Sequence, residues 1–99
     1  MISMRIKEIT EYSFDLKKSL LLREERGLGF EEIISMLEEG AGADIYPHPN
    51  PKYPHQYIFE ILVENYVYIV PFVANGTKVF LKTIFPSRKA TRKRKERGK

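Results

Sequence analysis

The sequence predicts an α+β fold: a helical hairpin packed on a small antiparallel sheet, with a basic helix or tail at the end. Three observations carry this. Apolar residues recur at helical spacing through residues 16–37, alternation takes over from residue 57, and a proline-rich stretch separates the two regimes. A chain of 99 residues makes one domain, read here as residues 1–91, followed by a basic extension over 92–99.

The elements follow in order. Ile6, Ile9 and Tyr12 leave room for a short N-terminal strand around Lys7–Ser13. Ser13 or Asp15 then caps a helix from Leu16 to Arg26, by accepting hydrogen bonds from the free N–H groups of the first turn. Leu16 and Leu20 form its apolar face, Leu21 and Leu22 broaden it, and Gly27 supplies the left-handed stop. Arg23-Glu24-Glu25-Arg26 marks the solvated end. A second helix is the clearest local signal. Phe30, Ile33, Ile34 and Leu37 fall at i, i+3, i+4 and i+7, with Glu31, Glu32, Glu38 and Glu39 opposite and Gly40 at the end. Gly27-Leu28-Gly29 joins the two helices. Without a preceding strand and a third glycine it is a turn, not a phosphate loop.

Residues Ala41 to His55 read as an irregular, stiff loop, because Pro47, Pro49, Pro51 and Pro54 fix four φ angles. Tyr57, Phe59, Ile61 and Val63 then alternate with Ile58, Glu60, Leu62 and Glu64, which makes a strand with one buried face. After a turn at Glu64-Asn65, Tyr66–Ala74 forms a second strand, apolar on both faces. Asn75-Gly76 is a strong hairpin signal, and Thr77–Phe85 makes the third strand. Pro71 falls inside the middle strand, so a bulge is expected there, or a ladder that has ended on that side. Ser87 can cap a final helix from Arg88. That helix has almost no apolar face and carries cations at its positive end, so it should fray unless a partner holds it.

Composition narrows the function. The last twelve residues carry eight Lys/Arg against one Glu, a local charge of +7 in a chain of +4, so residues 1–87 stand at 4 − 7 = −3. A like-charge block is either a solvated tail or a site for a polyanion, of which nucleic acid is the commonest. The absence of cysteine removes disulfides, thiolate nucleophiles and Cys-based zinc sites. No apolar stretch approaches the roughly 18 residues of a membrane helix, and the N-terminus lacks the apolar run of a signal peptide, so a cytoplasmic protein without membrane partners is expected. His48 and His55 with scattered carboxylates give no metal-ligand spacing, and there is no Gly-x-Ser-x-Gly. No metal or cofactor is expected.

What remains is a set of imidazoles and cations near the strands: His48, His55, Lys52, Lys82, Arg88 and Lys89. That set suits RNA cleavage by its own 2′-hydroxyl. This reaction needs a base, an acid for the departing 5′-oxygen, and cations for the charge on the transition state. His is the natural acid or base, and Arg the natural phosphate clamp. The candidate catalytic residues are Arg88, His48, His55 and Lys82, and Lys52 and Lys89 are candidate RNA-binding residues. Which imidazole is acid and which base stays open. Arg88 is the leading candidate, at the point where the last strand hands over to the basic segment after Pro86. Tyr57, Tyr66 and Tyr68 read as half-buried sheet residues rather than base-stacking platforms.

Two segments also carry a resemblance. Phe14-Asp15-Leu16-Lys17-Lys18, with Gly27-Leu28-Gly29-Phe30-Glu31 after the helix, resembles the opening of BrnT-type toxins. Ser87-Arg88-Lys89-Ala90-Thr91-Arg92 resembles that family's Ala-Arg-Lys-Ala-Thr-Arg ending, and the order of elements agrees over Tyr12–Lys95. The resemblance implies a RelE-like toxin of a type II toxin–antitoxin system, acting as a metal-independent endoribonuclease that inhibits translation. It also implies a cognate antitoxin, commonly a ribbon-helix-helix protein, with operator DNA met only through that antitoxin. Arg88 carries over as the arginine after the last strand, Lys89 and Arg92 as its basic followers, and Lys17 or Lys18 as the N-terminal lysine. Leu81 and Thr83 stand where family members often carry Arg, and Lys82 falls on the opposite face unless a bulge shifts the register. The segment Asp44–Gln56 is richer in proline than the family's, and His48 matches its histidine only loosely. The competing functions are a non-catalytic nucleic-acid-binding module using the same basic end, and a partner subunit whose basic segment docks an acidic protein.

Overall fold

The carboxylate of Asp15 opens the first helix by accepting the Lys18 N–H at 3.0 Å, so the cap is Asp15 and not Ser13. The structure, a computed structural model, describes residues 5–40 and 43–97. Helix α1 runs Leu16–Arg26 and stops at Gly27, whose φ of 73° is the left-handed turn that glycine adopts freely. Its buried face is Ser19 and Leu22. The leucines expected to face the core, Leu16, Leu20 and Leu21, are 62%, 50% and 56% exposed. Polar chemistry set this rotation. Ser19 Oγ accepts the Phe30 N–H at 2.9 Å and donates to Glu31, capping helix α2 (Phe30–Glu38) from outside its own chain segment. Arg23, expected in the solvated end, bonds Glu31 at 2.8 Å and Glu32 at 3.1 Å in the same cluster. Phe30, Ile33 and Leu37 of α2 are buried as their spacing predicts.

The sheet contains strands β1 (Glu11–Ser13), β2 (Ala43–Pro47), β3 (Gln56–Val63), β4 (Tyr66–Asn75), β5 (Lys78–Leu81) and β6 (Phe85–Pro86). Its order is β1-β5-β4-β3-β2, with β6 paired to β4 beyond the end of β5. It is mixed and not antiparallel throughout, because β1 runs parallel to β5. The N-terminal strand is shorter than expected, and a 3₁₀ turn occupies Ile6–Glu8. The stretch read as loop from Ala41 to His55 contains β2, though Ala41 itself lies outside the described residues. Prolines hid this strand. Pro47 ends it at the sheet edge, and since the next N–H, that of His48, points at β3, the missing donor of Pro47 falls on the outer side.

Glu64 and Asn65 both have positive φ, 49° and 71°, the geometry of a tight hairpin turn. The next hairpin closes on the Asn75↔Lys78 pair, so its central residues are Gly76 and Thr77, one step later than the Asn-Gly signal implied. The strand expected over Thr77–Phe85 is broken. Phe72 pairs with Leu81 and Ile69 with Phe85, three steps on β4 against four on the returning chain, so one extra residue bulges between them. The Lys82 N–H donates to the Pro71 carbonyl at 2.8 Å, so the donor Pro71 lacks would have pointed at the same bulge. The bulge reverses the alternation: Val79 and Leu81 are buried, then Ile84, while Phe85 turns to the opposite face.

The two sheet faces are covered unequally. One carries Phe59, Ile61, Val70, Phe72, Val79 and Leu81 against Leu22, Phe30, Ile33 and Leu37 of the hairpin, with Phe59 and Phe72 stacked at 4.1 Å between ring centroids. Tyr57 and Tyr68 pack on this side as well. The other face carries a small cluster of Ile58, Val67 and Ile69, joined by Tyr46 and Ala90. Across it lies helix α3 (Arg88–Arg97), helical through what was expected to be a frayed extension from residue 92; residues 98 and 99 lie outside the described residues.

Candidate nucleic-acid interface

Helix α3 is held by hydrogen bonds and not by an apolar stripe. Ser87 Oγ accepts the Ala90 N–H at 3.1 Å as its cap, and Thr91, only 5% exposed, ties the helix to β4. Arg94 reaches back across the sheet and lies 3.8 Å from Asp44 of β2. Between α3 and strands β2, β3 and β4 the sheet stays open, leaving a groove of about 860 Å³. Ile58, Ile69 and Phe85 make its apolar floor, Lys89, Lys93 and Glu96 its helical wall, and Tyr46, His48 and Glu60 its polar side.

Strand register explains the polar side. Tyr46 is paired with Ile58, and Asp44 with Glu60, so alternate residues of β2 and β3 point into the groove. His48 continues the pattern one step past β2, its N–H donating to the Gln56 carbonyl at 3.0 Å. The Tyr46 hydroxyl donates to Glu60 Oε1 at 3.0 Å. Burial first, then that neighbouring carboxylate, push the Tyr46 phenol up to about 12, so it stays a proton donor. His48 is half-buried, its ring 5.0 Å from that of Tyr53, and its Nδ1 accepts the Asn50 N–H at 3.1 Å. With Nδ1 taken up by the Asn50 N–H, Nε2 is the ring nitrogen left to carry a proton and donate.

The expected site residues separate into those at the groove and those away from it. His48 and Lys89 line it together. Arg88 and Arg92 are exposed on α3 but are not among the lining residues, and His55 and Lys52 are exposed in the turn before β3. Lys82 is exposed further along the same sheet face, its Nζ 5.6 Å from the centre of the Phe80 ring. Lys17 and Lys18 belong to α1, which packs on the other side of the sheet. Sequence reasoning missed Tyr46, Glu60 and Lys93. Lys93 had a readable signal, since it follows Lys89 by one helical turn. Among the described residues, no group of three or more His, Asp or Glu side chains is placed to hold a metal, and no helix is long and apolar enough to cross a membrane.

No family model, no curated protein and no solved structure matches this chain.

Proposed function

We propose that this chain is the toxin of a type II toxin–antitoxin pair, a RelE-like, BrnT-type endoribonuclease that cleaves RNA without a metal and so inhibits translation. The observation that carries this reading is the groove, which His48, Lys89 and Lys93 line together around an apolar floor. Two cations and an imidazole N–H donor suit a phosphodiester whose negative charge grows during reaction. The 2′-oxygen forms its bond to phosphorus as the bond to the 5′-oxygen breaks, leaving a 2′,3′-cyclic phosphate. The 2′-hydroxyl proton leaves to solvent and the 5′-oxygen takes one from solvent. Lys89 and Lys93 neutralise the phosphoryl oxygens, and His48 Nε2–H donates a hydrogen bond to one of them.

The partner on this reading is a cognate antitoxin, a ribbon-helix-helix protein that masks the toxin, with operator DNA reached only through it. Purified chain should cleave single-stranded RNA in the presence of a chelator, and its expression alone should arrest growth. The joint Lys89→Ala, Lys93→Ala variant should do neither. Binding of RNA without cleavage by the unmodified chain would replace the nuclease with a non-catalytic binding module.

A further inference from the structure

Glu60 is a groove carboxylate that phosphate chemistry leaves without a task. A carboxylate repels phosphate, yet this one stands on the groove side of β3 between Ile58 and Leu62, opposite Ile69 on β4. Asp44, opposite it on β2, is the carboxylate that Arg94 approaches. Glu60 has no ion-pair partner among the described residues and is fixed by the Tyr46 hydroxyl alone. That bond occupies one lone pair of Oε1. An ionised carboxylate offers about four, so both oxygens can still accept.

The floor beside it is apolar: Ile58 and Ile69 are buried at its base, and the ring of Phe85, paired across from Ile69, is 38% exposed. Such a surface suits a planar base, because every base has a π-face and stacking tolerates any of them. Specificity must then come from the edge. Guanine alone presents two adjacent donors, N1–H and the 2-amino group, which match the two oxygens of a carboxylate. Adenine and cytosine place a ring-nitrogen acceptor beside their amino group, and uracil flanks its single N–H with carbonyl oxygens; each sets a lone pair against the carboxylate. The spacing also fits. His48 stands across from Gln56, four residues along β3 from Glu60, or about 13 Å at the usual strand rise. One nucleoside spans that interval, with its phosphate at the imidazole end and its base at the carboxylate end.

We propose that this end of the groove is a guanine-specific subsite, in which Glu60 accepts N1–H and the 2-amino group of a base stacked on the ring of Phe85. The inference rests on RNA occupying the groove, as proposed above. The test uses short 2′-O-methyl oligouridylates carrying one central guanosine, inosine, adenosine or cytidine. The methyl group blocks the 2′-attack, so binding is read apart from cleavage. The guanosine oligomer should bind the whole chain on the order of tenfold more tightly than the adenosine and cytidine oligomers, with inosine between them because it lacks only the 2-amino group. Glu60→Gln, which keeps the side chain's shape, should bring all four to within about twofold. Equal binding of the four oligomers by the unmodified chain overturns the subsite. So does a guanosine preference that survives Glu60→Gln. Guanosine-selective binding with no cleavage of unmodified RNA would uphold the subsite and overturn the nuclease. Cleavage with no preference among the oligomers would do the reverse.

Discussion

The hydroxyl of Thr91 takes the place of a sheet hydrogen bond to Val67. The Val67 N–H donates to Thr91 Oγ1 at 2.8 Å, and Thr91 donates on to the Ser87 carbonyl at 2.7 Å. The Ser87 N–H bonds the Val67 carbonyl directly at 2.9 Å, so the threonine completes the second half of a ladder pair. A helix with almost no apolar residues is thereby locked to the sheet at a buried point. Thr91→Val keeps the shape but leaves the Val67 N–H buried without an acceptor, at a cost of about 1–3 kcal/mol. Thermal unfolding should show a midpoint at least about 4 °C lower. Thr91→Ser, which retains the oxygen, should recover most of the loss; an equal loss in both variants would remove the hydroxyl from the account.

Gly29 is held to glycine by contact, since its φ of −101° is open to any residue. A Cβ there would stand 2.8 Å from both Ser19 Oγ and Arg23 Nη2. The serine is buried and committed to the cap of α2, so it has nowhere to go. Gly29→Ala should destabilise by about 1–3 kcal/mol, as overpacking does elsewhere. Gly27→Ala should also destabilise, through its positive φ alone. In a Ser19→Ala background the Gly29→Ala penalty should shrink, because one of the two obstacles is gone. Denaturant titration of the four chains measures that coupling.

The same cluster sets an acid limit on stability. The Ser19 hydroxyl, with the α2 backbone and Arg23 behind it, holds the Glu31 carboxyl below the ordinary carboxylate value. Burial alone would raise Glu32, but hydrogen bonds from Arg23 and the Gly29 N–H outweigh it and bring this group down too. Both folded values are depressed, so their stabilisation is present above the unfolded carboxylate value, about 4.3, and is lost as pH falls through the folded ones. Unfolding midpoints should decline below about pH 4. The Glu31→Gln, Glu32→Gln double variant should decline less steeply over that range, and an unchanged slope would assign the acid limit to other groups.

How legible this was follows from what each signal measures. The α2 stripe and the strand alternation of β3 report burial of single residues, and both read through. The leucines of α1 misled because hydrophobicity outvoted one serine, and the bond from Ser19 to the α2 backbone joins residues in separate helices. Strand β2 was masked by prolines that sit where an edge strand tolerates them. The groove was half visible: His48 and Lys89 stood out by residue type. Tyr46 and Glu60 become neighbours only through the β2–β3 register, which no local pattern fixes.

The bond from Asn50 to His48 Nδ1 makes a distinguishable claim about the imidazole. A ring that acts as a hydrogen-bond donor through Nε2–H can be replaced in part by an amide N–H. A ring that shuttles protons cannot. Under the proposed ribonuclease reading, His48→Ala should cut cleavage about tenfold or more, and His48→Gln should restore a measurable part of it. Equal loss in both variants, with a changed pH–rate profile, would return His48 to acid–base duty.

The largest departure from the sequence reading concerns the basic helix. Arg88 was the leading single residue, but the geometry gives the groove to Lys89 and Lys93, one turn apart on the same face of α3, while Arg88 and Arg92 lie outside the lining. Each cation in contact with a phosphate should contribute about 0.7 to the slope of log affinity against log salt on a single strand. Lys89→Ala and Lys93→Ala should therefore each lower that slope by about 0.7 and weaken RNA binding uniformly across sequences. Arg88→Ala should change affinity by no more than the general loss of one surface charge, and leave cleavage of bound RNA intact. The decisive comparison is single-turnover cleavage at saturating chain, where weak binding no longer limits the rate. Losses confined to Lys89 and Lys93 place the scissile phosphate in the groove. A loss confined to Arg88 moves it to the exposed start of α3 and empties the groove of its proposed chemistry.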